Sequence, residues 1–342
     1  MNSFGQYLRL TTFGESHGPA IGGVIDGLPA GLRINFEELN RRMAQRRPGS
    51  TAAGTARRED DTPEILSGVF NGVTLGTPIG FIIRNNDCRG GDYDALKFRP
   101  GHADYTYHAR YGIRDHRGGG RASARETACR VFAGALAMQI LEQKGIHIHA
   151  AIAQIGHYTF SAPVTADNQQ AVEIINEARG KKDTLGGIIS CTITGLPAGL
   201  GEPIYGKFSA RLAEAMMSIN AAHGFEYGMG ISGCCQPGSM VVDPFDVDSH
   251  GRIITTANHS GGIQGGITNG MPVTFRVAFK PVATMPGRPL QSVDAYLNRC
   301  TLTATGRHDP CVIPRAVPVV EAMAALVSLD AMLAPPPSLS QL

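Results

Sequence analysis

The chain has 342 residues, of which 42% are hydrophobic and 18% are charged, and its formal net charge is +2. This composition supplies a sizeable core and excludes general disorder, and the near-neutral charge excludes a polycationic protein. The most apolar segment, residues 312–333, is interrupted by Arg315, Glu321 and Asp330, and Arg9 and Glu15 interrupt any signal-peptide core. We therefore expect a cytoplasmic protein without a membrane span.

The seven Cys include no Cys-x-x-Cys pair, so we expect reduced thiols and neither a disulfide framework nor a metal site. Arginine carries most of the positive charge, because only six of the 31 basic residues are Lys. Guanidinium groups suit the recognition of carboxylates and phosphates. The excess therefore indicates either an anionic ligand or simply a genome that prefers Arg codons.

In the first half of the chain, apolar periodicity and capping residues predict strands and helices. Asn35 and Glu38 are spaced as a helix-capping pair, and Ser123 and Glu126 form a Ser-x-x-Glu capping box. The predicted elements are strands over residues 7–13, 21–26 and 78–84 and helices over residues 37–45 and 124–144.

In the second half, apolar and polar residues alternate most clearly over residues 188–194 and 273–280, as in half-buried strands. Gly180 follows a helical pattern at the position of a left-handed C-terminal cap. The predicted elements are helices over residues 168–179, 210–219 and 316–333 and strands over residues 188–194, 240–242 and 273–280.

A six-residue repeat relates the two halves: Gly27-Leu-Pro-Ala-Gly-Leu32 recurs as Gly195-Leu-Pro-Ala-Gly-Leu200. Each copy follows a predicted strand and precedes a predicted helix, which indicates a duplicated strand–turn–helix unit. We predict an α+β fold with two related halves in one domain over residues 1–334, followed by a flexible tail over residues 335–342. No Gly-x-Gly-x-x-Gly follows a strand and no P-loop motif occurs, which disfavours both kinds of nucleotide site.

The segment Gly14-Glu-Ser-His-Gly18 fits the Gly-x-Ser-x-Gly pattern of serine hydrolases. The nucleophile elbow of those enzymes leads directly into a helix, whereas Pro19 and a predicted strand follow here. A serine hydrolase is therefore disfavoured. Ser16 and His17 are candidates for other chemistry at a hairpin tip, and a polar tip without function is the alternative.

A second candidate segment is Arg99-Pro-Gly-His-Ala-Asp104. His102 lies there on a loop near a carboxylate, which suits a general acid or base. The alternative is an ordinary solvated histidine, since the chain has 11 His in total.

The third segment runs from Asp115 to Glu126 and contains three consecutive Gly before a helix, together with Arg117, Arg121 and Arg125. Exposed amide groups and the positive end of the helix dipole would favour an anion there. A flexible loop that simply precedes a helix is one alternative. An RNA-binding Arg-Gly-Gly segment is another, although such segments usually repeat.

The fourth segment, Gly306-Arg-His-Asp-Pro-Cys311, combines Arg307, His308 and Asp309 just before the last apolar helix. Such a triplet needs internal partners if it is buried. A surface salt-bridge cluster is the alternative.

Together these segments resemble the chorismate synthase family over roughly residues 4–332. The matching motifs are Gly14-Glu-Ser-His-Gly18, Arg46-Arg-Pro-Gly49, Phe98-Arg-Pro-Gly-His-Ala-Asp104, Gly118-Gly-Gly-Arg-Ala-Ser-Ala-Arg-Glu-Thr127, Met217-Ser-Ile-Asn-Ala221, Gly261-Gly-Ile-Gln-Gly-Gly266 and Gly306-Arg-His-Asp-Pro-Cys311. The resemblance implies a β-α-β sandwich with an internal pseudo-twofold repeat, usually in a homotetramer. It also implies the loss of phosphate and a ring hydrogen from 5-enolpyruvylshikimate 3-phosphate to give chorismate, with reduced FMN and no net oxidation.

The resemblance further implies the roles of individual residues. His17 would protonate the leaving phosphate, His102 would keep the reduced flavin suitably protonated, and Asp309 would relay a proton, with Ser16 and Ser123 in support. The implied substrate-binding residues are Arg46, Arg99 and Arg125. The implied flavin-binding residues are Arg121, Ala122, Ser123, Asn220, Ala221, Gly265, Lys280, Pro281, Val282, Ala283, Thr284 and Arg307.

Several positions depart from the family pattern and bear on flavin affinity: Ala52, Ala122, His223, Met229 and the segment Lys280-Pro-Val-Ala-Thr284. Two other classes stay open, a flavin- or phosphate-binding protein of this fold that has lost catalysis and a nucleic-acid-binding protein that uses the Arg-rich half. Two sources of reduced flavin also stay open, reduction by the protein itself with NADP(H) and delivery in reduced form.

Overall fold

A computed structural model describes residues 1–47, 49, 60–86, 94–304 and 309–335. The helices are α1 (Phe36–Arg46), α2 (Asp104–Tyr111), α3 (Thr127–Gln143), α4 (Gln169–Gly180), α5 (Phe208–Met217), α6 (Gly230–Gly233) and α7 (Ile313–Leu333). The strands of the first half are β1 (Ser3–Phe4), β2 (Arg9–Phe13), β3 (Ala20–Asp26), β4 (Pro63–Ile65), β5 (Val69–Phe70), β6 (Val73–Thr74) and β7 (Ile79–Arg84). Those of the second half are β8 (His147–Ile155), β9 (Tyr158–Val164), β10 (Gly187–Thr194), β11 (Ala222–Tyr227), β12 (Phe245–Val247), β13 (Ile253–Thr255), β14 (Ile263–Gln264), β15 (Ile267–Thr268), β16 (Val273–Phe279), β17 (Pro289–Val293) and β18 (Arg299–Thr303).

Two five-stranded antiparallel sheets enclose the helices. The first sheet has the order β1-β2-β3-β7-β4 and the second β11-β16-β10-β8-β9. Helices α3 and α7 pack on each other between the sheets, since α3 contacts β2 and β3 whereas α7 contacts β8 and β10. Helices α1 and α5 complete this central layer. The structure thus confirms the α+β class and the β-α-β sandwich.

The two central helices are apolar on all sides, as helices buried between layers must be. Every residue of α3 from Thr127 to Leu141 is buried except Arg130. Gly134 of α3 lies directly against the backbone of Ala322 in α7, and a Cβ at this glycine would clash with it. Helix α7 is long and apolar enough to cross a membrane, but it is mostly buried inside the protein.

The internal repeat is present in three dimensions. In the first copy, the hydroxyl of Thr74 donates to the Pro29 carbonyl at 2.8 Å and accepts from the Leu32 N–H at 3.0 Å. In the second copy, Thr268 makes the same two bonds, 2.7 Å to the Pro197 carbonyl and 2.9 Å from the Leu200 N–H. Each repeat is therefore fixed by a buried threonine from a later short strand.

Most predicted elements are confirmed to within about two residues, including the strand that became β16, where four apolar side chains alternate inward. The strand predicted over residues 240–242 is wrong, because a 3-10 turn, Gly238–Met240, ends at its first residue and irregular chain follows, with Met240 and Val242 exposed. Gly180 does not end its helix in a left-handed conformation; the backbone turns at Lys182 instead. Strands β8, β9 and β11 were not predicted.

The long helix predicted over residues 124–144 begins three residues later, because a 3-10 turn, Ala124–Glu126, precedes it. In this tighter turn the Ser123 hydroxyl accepts from the Arg125 N–H at 3.3 Å. The Glu126 carboxylate instead accepts from Thr12 and Arg130, each at 2.9 Å, so the predicted capping box is not formed. The assignment of residues 1–334 to one domain and 335–342 to a flexible tail stays a prediction, and residues 336–342 lie outside the described part.

Candidate active site

The segment with Ser16 and His17 is a tight turn between β2 and β3. The Gly18 N–H donates to the Glu15 carbonyl at 3.0 Å, which closes the turn around these two residues. Ser16 is buried, His17 is half-buried, and a hydrogen bond of 3.2 Å joins Ser16 Oγ to His17 Nδ1. Because the chain continues into β3, this is the hairpin tip and not a nucleophile elbow.

The glycine-rich segment packs directly on this turn. A Cβ at Gly118 would clash with the imidazole of His17, and Gly118 has φ +141°, a value that favours glycine. A Cβ at Gly120 would approach the Glu15 carboxylate to 2.5 Å. The first and third candidate segments therefore form one surface.

Arg99 joins the second candidate segment to the same surface. Its guanidinium donates to the Gly118 carbonyl at 3.1 Å and to both oxygens of Asp104 at 2.8 Å. Burial works against ionisation of Asp104, but the hydrogen bonds from Arg99 outweigh it and lower the pKa of this carboxyl group. This ion pair fixes the start of the loop that carries His102.

His102 lies against the segment of residues 280–284. A hydrogen bond of 2.6 Å joins His102 Nε2 to the hydroxyl of the buried Thr284. The Lys280 ammonium donates to the Gly101 carbonyl at 3.0 Å, and Gly101 has no room for a side chain because of Ala283. Of the five residues predicted to bind flavin in this segment, Lys280, Ala283 and Thr284 thus lie against His102 or the adjacent Gly101.

The other two residues of this segment, Pro281 and Val282, follow the end of β16, an inner strand of the second sheet. The Val282 carbonyl accepts from the Thr184 hydroxyl at 2.7 Å. Gly186 lies so close to Lys280 and Pro281 that a Cβ there would clash with their backbone.

Asn220 and Ala221 link this segment to the glycine-rich segment. The Asn220 amide donates to the Ala122 carbonyl at 2.8 Å, and the Ala221 carbonyl accepts from the Lys280 N–H at 2.9 Å. Ala221 has φ +67°, an unfavourable value for a residue with a Cβ, and such backbone strain is common in ligand sites. Asn220 Oδ1 is buried, and no described residue donates to it.

These features fit a flavin. A buried acceptor without a donor at Asn220 suits a ring N–H, and the Lys280 ammonium suits a phosphate group. Arg121 lies on the other side of the glycine-rich segment and donates to the Thr12 hydroxyl at 2.7 Å. There it lines a cleft of about 390 Å³ together with Ala122, next to β2.

Arg46 and Arg125 share one buried carboxylate. Arg46 donates to Asp61 at 3.0 Å, Arg125 donates to the other oxygen of Asp61, and all three side chains are almost inaccessible to solvent. Burial lowers the pKa of Arg46 to about 9; Asp61 opposes this shift, and nearby Arg315 and Arg125 add to it. Direct contact of Arg46 and Arg125 with substrate stays a prediction, because their described partners are protein groups.

Asp309 pairs with Arg315, whose guanidinium also donates to the Arg46 carbonyl at 3.1 Å. The second carboxylate oxygen, Asp309 Oδ1, is buried and accepts no hydrogen bond from any described residue. Arg307, the partner expected from the sequence, lies outside the described residues, as does Ala52. Asp309 is therefore fixed on one side by Arg315, and its second oxygen has no donor among the described residues.

Gly265 is the predicted residue that the described contacts do not bring to this site. It lies with Gly266 in the two-residue turn between β14 and β15, and both have positive φ. This hairpin packs against the start of α5, where Phe208 N–H donates to the Gly266 carbonyl at 2.7 Å.

Three residues of the site were not predicted from the sequence: Asp61, Asn85 and Arg315. Asp61 follows a run of charged residues that includes Arg57 and Arg58, so its pairing with two distant arginines had no local signal.

The comparisons with known proteins agree on one family. A family model described as "Chorismate synthase" matches residues 8–333. A chorismate synthase of Bacteroides fragilis (strain YCH46) is 51% identical, with 96% of this chain and 97% of that protein covered. A chorismate synthase of Azobacteroides pseudotrichonymphae is 50% identical, with 96% and 98% covered. A solved structure titled "Crystal Structure of Chorismate Synthase" superposes with a TM-score of 0.73 at 31% identity and covers 96% of this chain and 92% of that chain.

Proposed function

The chain belongs to the chorismate synthase family of carbon–oxygen lyases, and we propose that it eliminates phosphate from 5-enolpyruvylshikimate 3-phosphate with reduced FMN. The observation that best supports its use of this chemistry is the meeting of three candidate segments. Gly118 lies against His17, its carbonyl accepts from Arg99, and the loop that follows Arg99 carries His102. Two titratable imidazoles are thus held around one surface beside a group of arginines.

The reaction breaks the C–O bond to phosphate and removes a hydrogen from C6, so the products are chorismate and inorganic phosphate. That hydrogen is not acidic, and a side-chain base alone would remove it poorly. The chemistry that reduced FMN would supply is transient electron donation and acceptance of the C6 hydrogen, with no net oxidation.

The leaving phosphate needs positive charge and a proton. His17 supplies the proton, and Ser16 orients the imidazole through its 3.2 Å hydrogen bond. Arg46, Arg125 and Arg315 outnumber Asp61 and Asp309 by one charge, so the site keeps a positive potential that favours a phosphorylated substrate.

The flavin would be held by Lys280, Asn220 and Ala221. His102, fixed by Thr284, would hold a proton at the reduced ring system, and the second carboxylate oxygen of Asp309 would accept one. The alternative function, a flavin- or phosphate-binding protein of the same fold without catalysis, lacks support from these residues, since His17, His102 and Asp309 are all present.

Replacing His17 or His102 by Ala tests this assignment. We expect turnover of 5-enolpyruvylshikimate 3-phosphate to fall by about 10² to 10⁴ in each variant, the usual contribution of a positioned acid or base. His157, which lies between β8 and β9 outside the site, provides a matched His→Ala control that should keep wild-type turnover. Normal turnover in both site variants would show that these histidines have no catalytic role.

We also propose a cytoplasmic homotetramer. Phe245 and Val247 on β12 and Ile253 on β13 are all more than half exposed, and Val247 pairs directly with Ile253 in the hairpin. Exposed apolar side chains that adjoin one another are typical of subunit contacts.

A further inference from the structure

Asn85 follows the last residue of β7 and continues its pairing with β3. The final pair in this ladder is Ala20 with Arg84. One step beyond it, the Asn85 N–H donates to the Pro19 carbonyl at 3.1 Å. The backbone of Asn85 is therefore attached to the chain that leaves the Ser16–His17 turn.

The side-chain amide of Asn85 holds both ends of that turn. Nδ2 donates to the Glu15 carbonyl at 3.1 Å and to the Gly18 carbonyl at 2.8 Å. Ser16 and His17 are the two residues between these carbonyls. The turn is thus closed by its own hydrogen bond and by a bridge from a neighbouring strand.

The other end of the same amide holds Arg125. Asn85 Oδ1 accepts from Arg125 Nε at 2.8 Å. The remaining edges of this guanidinium donate to the Arg84 carbonyl at 3.2 Å and to Asp61. Because the guanidinium is planar with donors in fixed directions, acceptors on three sides fix its orientation.

Asparagine matches these demands because it carries donors and an acceptor on one short planar group. An aspartate would keep the acceptor for Arg125 but would turn an oxygen towards the two carbonyls. An alanine would remove both functions, so the Glu15 and Gly18 carbonyls and Arg125 Nε would each lose one hydrogen bond, which is costly in a partly buried site.

We propose that Asn85 is a positioning residue that sets His17 and Arg125 in one fixed geometry relative to each other. It acts through these two residues and has no contact with the reacting atoms in this account. The inference rests on the proposed function, in which His17 serves the leaving phosphate and Arg125 the substrate.

The test compares Asn85→Asp with Asn85→Ala in anaerobic assays with reduced FMN and 5-enolpyruvylshikimate 3-phosphate. The Asp variant loses the bridge to the turn and places a second carboxylate against Arg125, so kcat should fall about 10²-fold and KM should rise, because the added charge cancels the net positive charge of the site. The Ala variant adds no charge, so it should show the same loss in kcat with a smaller rise in KM. Wild-type kcat and KM in both variants would overturn the proposal, even if both unfold at lower temperature.

A second measurement needs no turnover. Hydrogen–deuterium exchange over residues 13–20 of the flavin-free protein should become faster in Asn85→Asp, because the turn loses its bridge. Asn40, exposed on α1, provides the control, since Asn40→Ala should leave both exchange over residues 13–20 and kinetics unchanged. Unchanged exchange in Asn85→Asp would overturn the inference. Faster exchange in a protein whose wild type shows no turnover would instead contradict only the proposed function.

Discussion

The two oxygens of Asp309 have different surroundings, and the difference bears on its role. One is paired with Arg315, and the other is buried without a described donor. A proton relay needs an oxygen that can accept a proton, and the second oxygen has no donor among the described residues. The relay role stays a proposal that a substitution can test.

We therefore predict that Asp309→Asn binds flavin and substrate nearly as well as the wild type but turns over about 10² to 10⁴ times more slowly, because an amide cannot accept the proton. Flavin affinity and the single-turnover rate should be measured on the same protein. Arg315→Gln is the matched control, since it breaks the ion pair and keeps the carboxylate. Weak flavin binding with a normal chemical step in Asp309→Asn would contradict the relay.

Candidate site residues could be identified from the sequence where they lie in a recognisable motif. They could not be identified where their role depends on a partner that is distant in the sequence. Ser16, His17 and His102 stand out by local sequence because small residues and turns surround them. Asp61 could not be predicted as a partner of Arg46, since 15 residues of chain and a change of element separate them. Likewise, the pairing of Asp309 with Arg315 could not be predicted, whereas Arg307, the neighbour expected from the sequence, lies outside the described residues.

Among the elements, the α3–α7 contact has the least tolerance for change. Gly134 lets the two helix backbones approach so closely that an added methyl group would meet both the backbone and the side chain of Ala322. Both helices are buried on all sides, so neither can move away without disturbing a sheet.

We predict that Gly134→Ala destabilises the protein by about 1–3 kcal/mol, the usual cost of overpacking a core, despite the higher helix propensity of alanine. Gly180→Ala is the matched control, because Gly180 also lies in a helix but faces open space. That change should be neutral or slightly stabilising. Thermal unfolding measures both, and equal melting temperatures for the two variants would contradict the close contact.

Strands could be predicted from the sequence where one face packs on the core and the other faces solvent, because apolar and polar residues then alternate. Strands β10 and β16 alternate because one side of each packs on the helices. Strand β8 lacks that signal, since three consecutive residues, Ala150 to Ile152, are buried. Residues 240–242 show the opposite case: an apolar run that predicted a strand lies at the end of a turn and in irregular chain, and Met240 and Val242 are exposed.

At the scale of the whole molecule, the duplicated unit places related sheets on either side of one helical layer. The Thr74 and Thr268 contacts repeat almost atom for atom, so the six-residue sequence repeat was sufficient to predict this symmetry. The exposed apolar surface of the β12–β13 hairpin was not predictable, because exposed apolar residues cannot be told from core residues in a sequence.

The proposed tetramer makes a testable claim about the β12–β13 hairpin. Val247→Asp should weaken the assembly, since it buries a charge in an apolar contact. Asp246, which lies between Phe245 and Val247 on the strand, offers the control Asp246→Ala, with an unchanged assembly expected. Size-exclusion chromatography with light scattering gives the mass of the assembly. A Val247→Asp protein that is still a tetramer would exclude this hairpin as the subunit contact.

The central claim is that the chain catalyses the family's elimination with reduced FMN and no net oxidation. The most direct measurement is an anaerobic reaction of the purified protein with 5-enolpyruvylshikimate 3-phosphate, in which chorismate, phosphate and the redox state of the flavin are followed together. We predict many turnovers per flavin, equal amounts of chorismate and phosphate, and flavin that is still reduced at the end. Full turnover with oxidised FMN or without flavin, or one oxidised flavin per chorismate, would contradict the account.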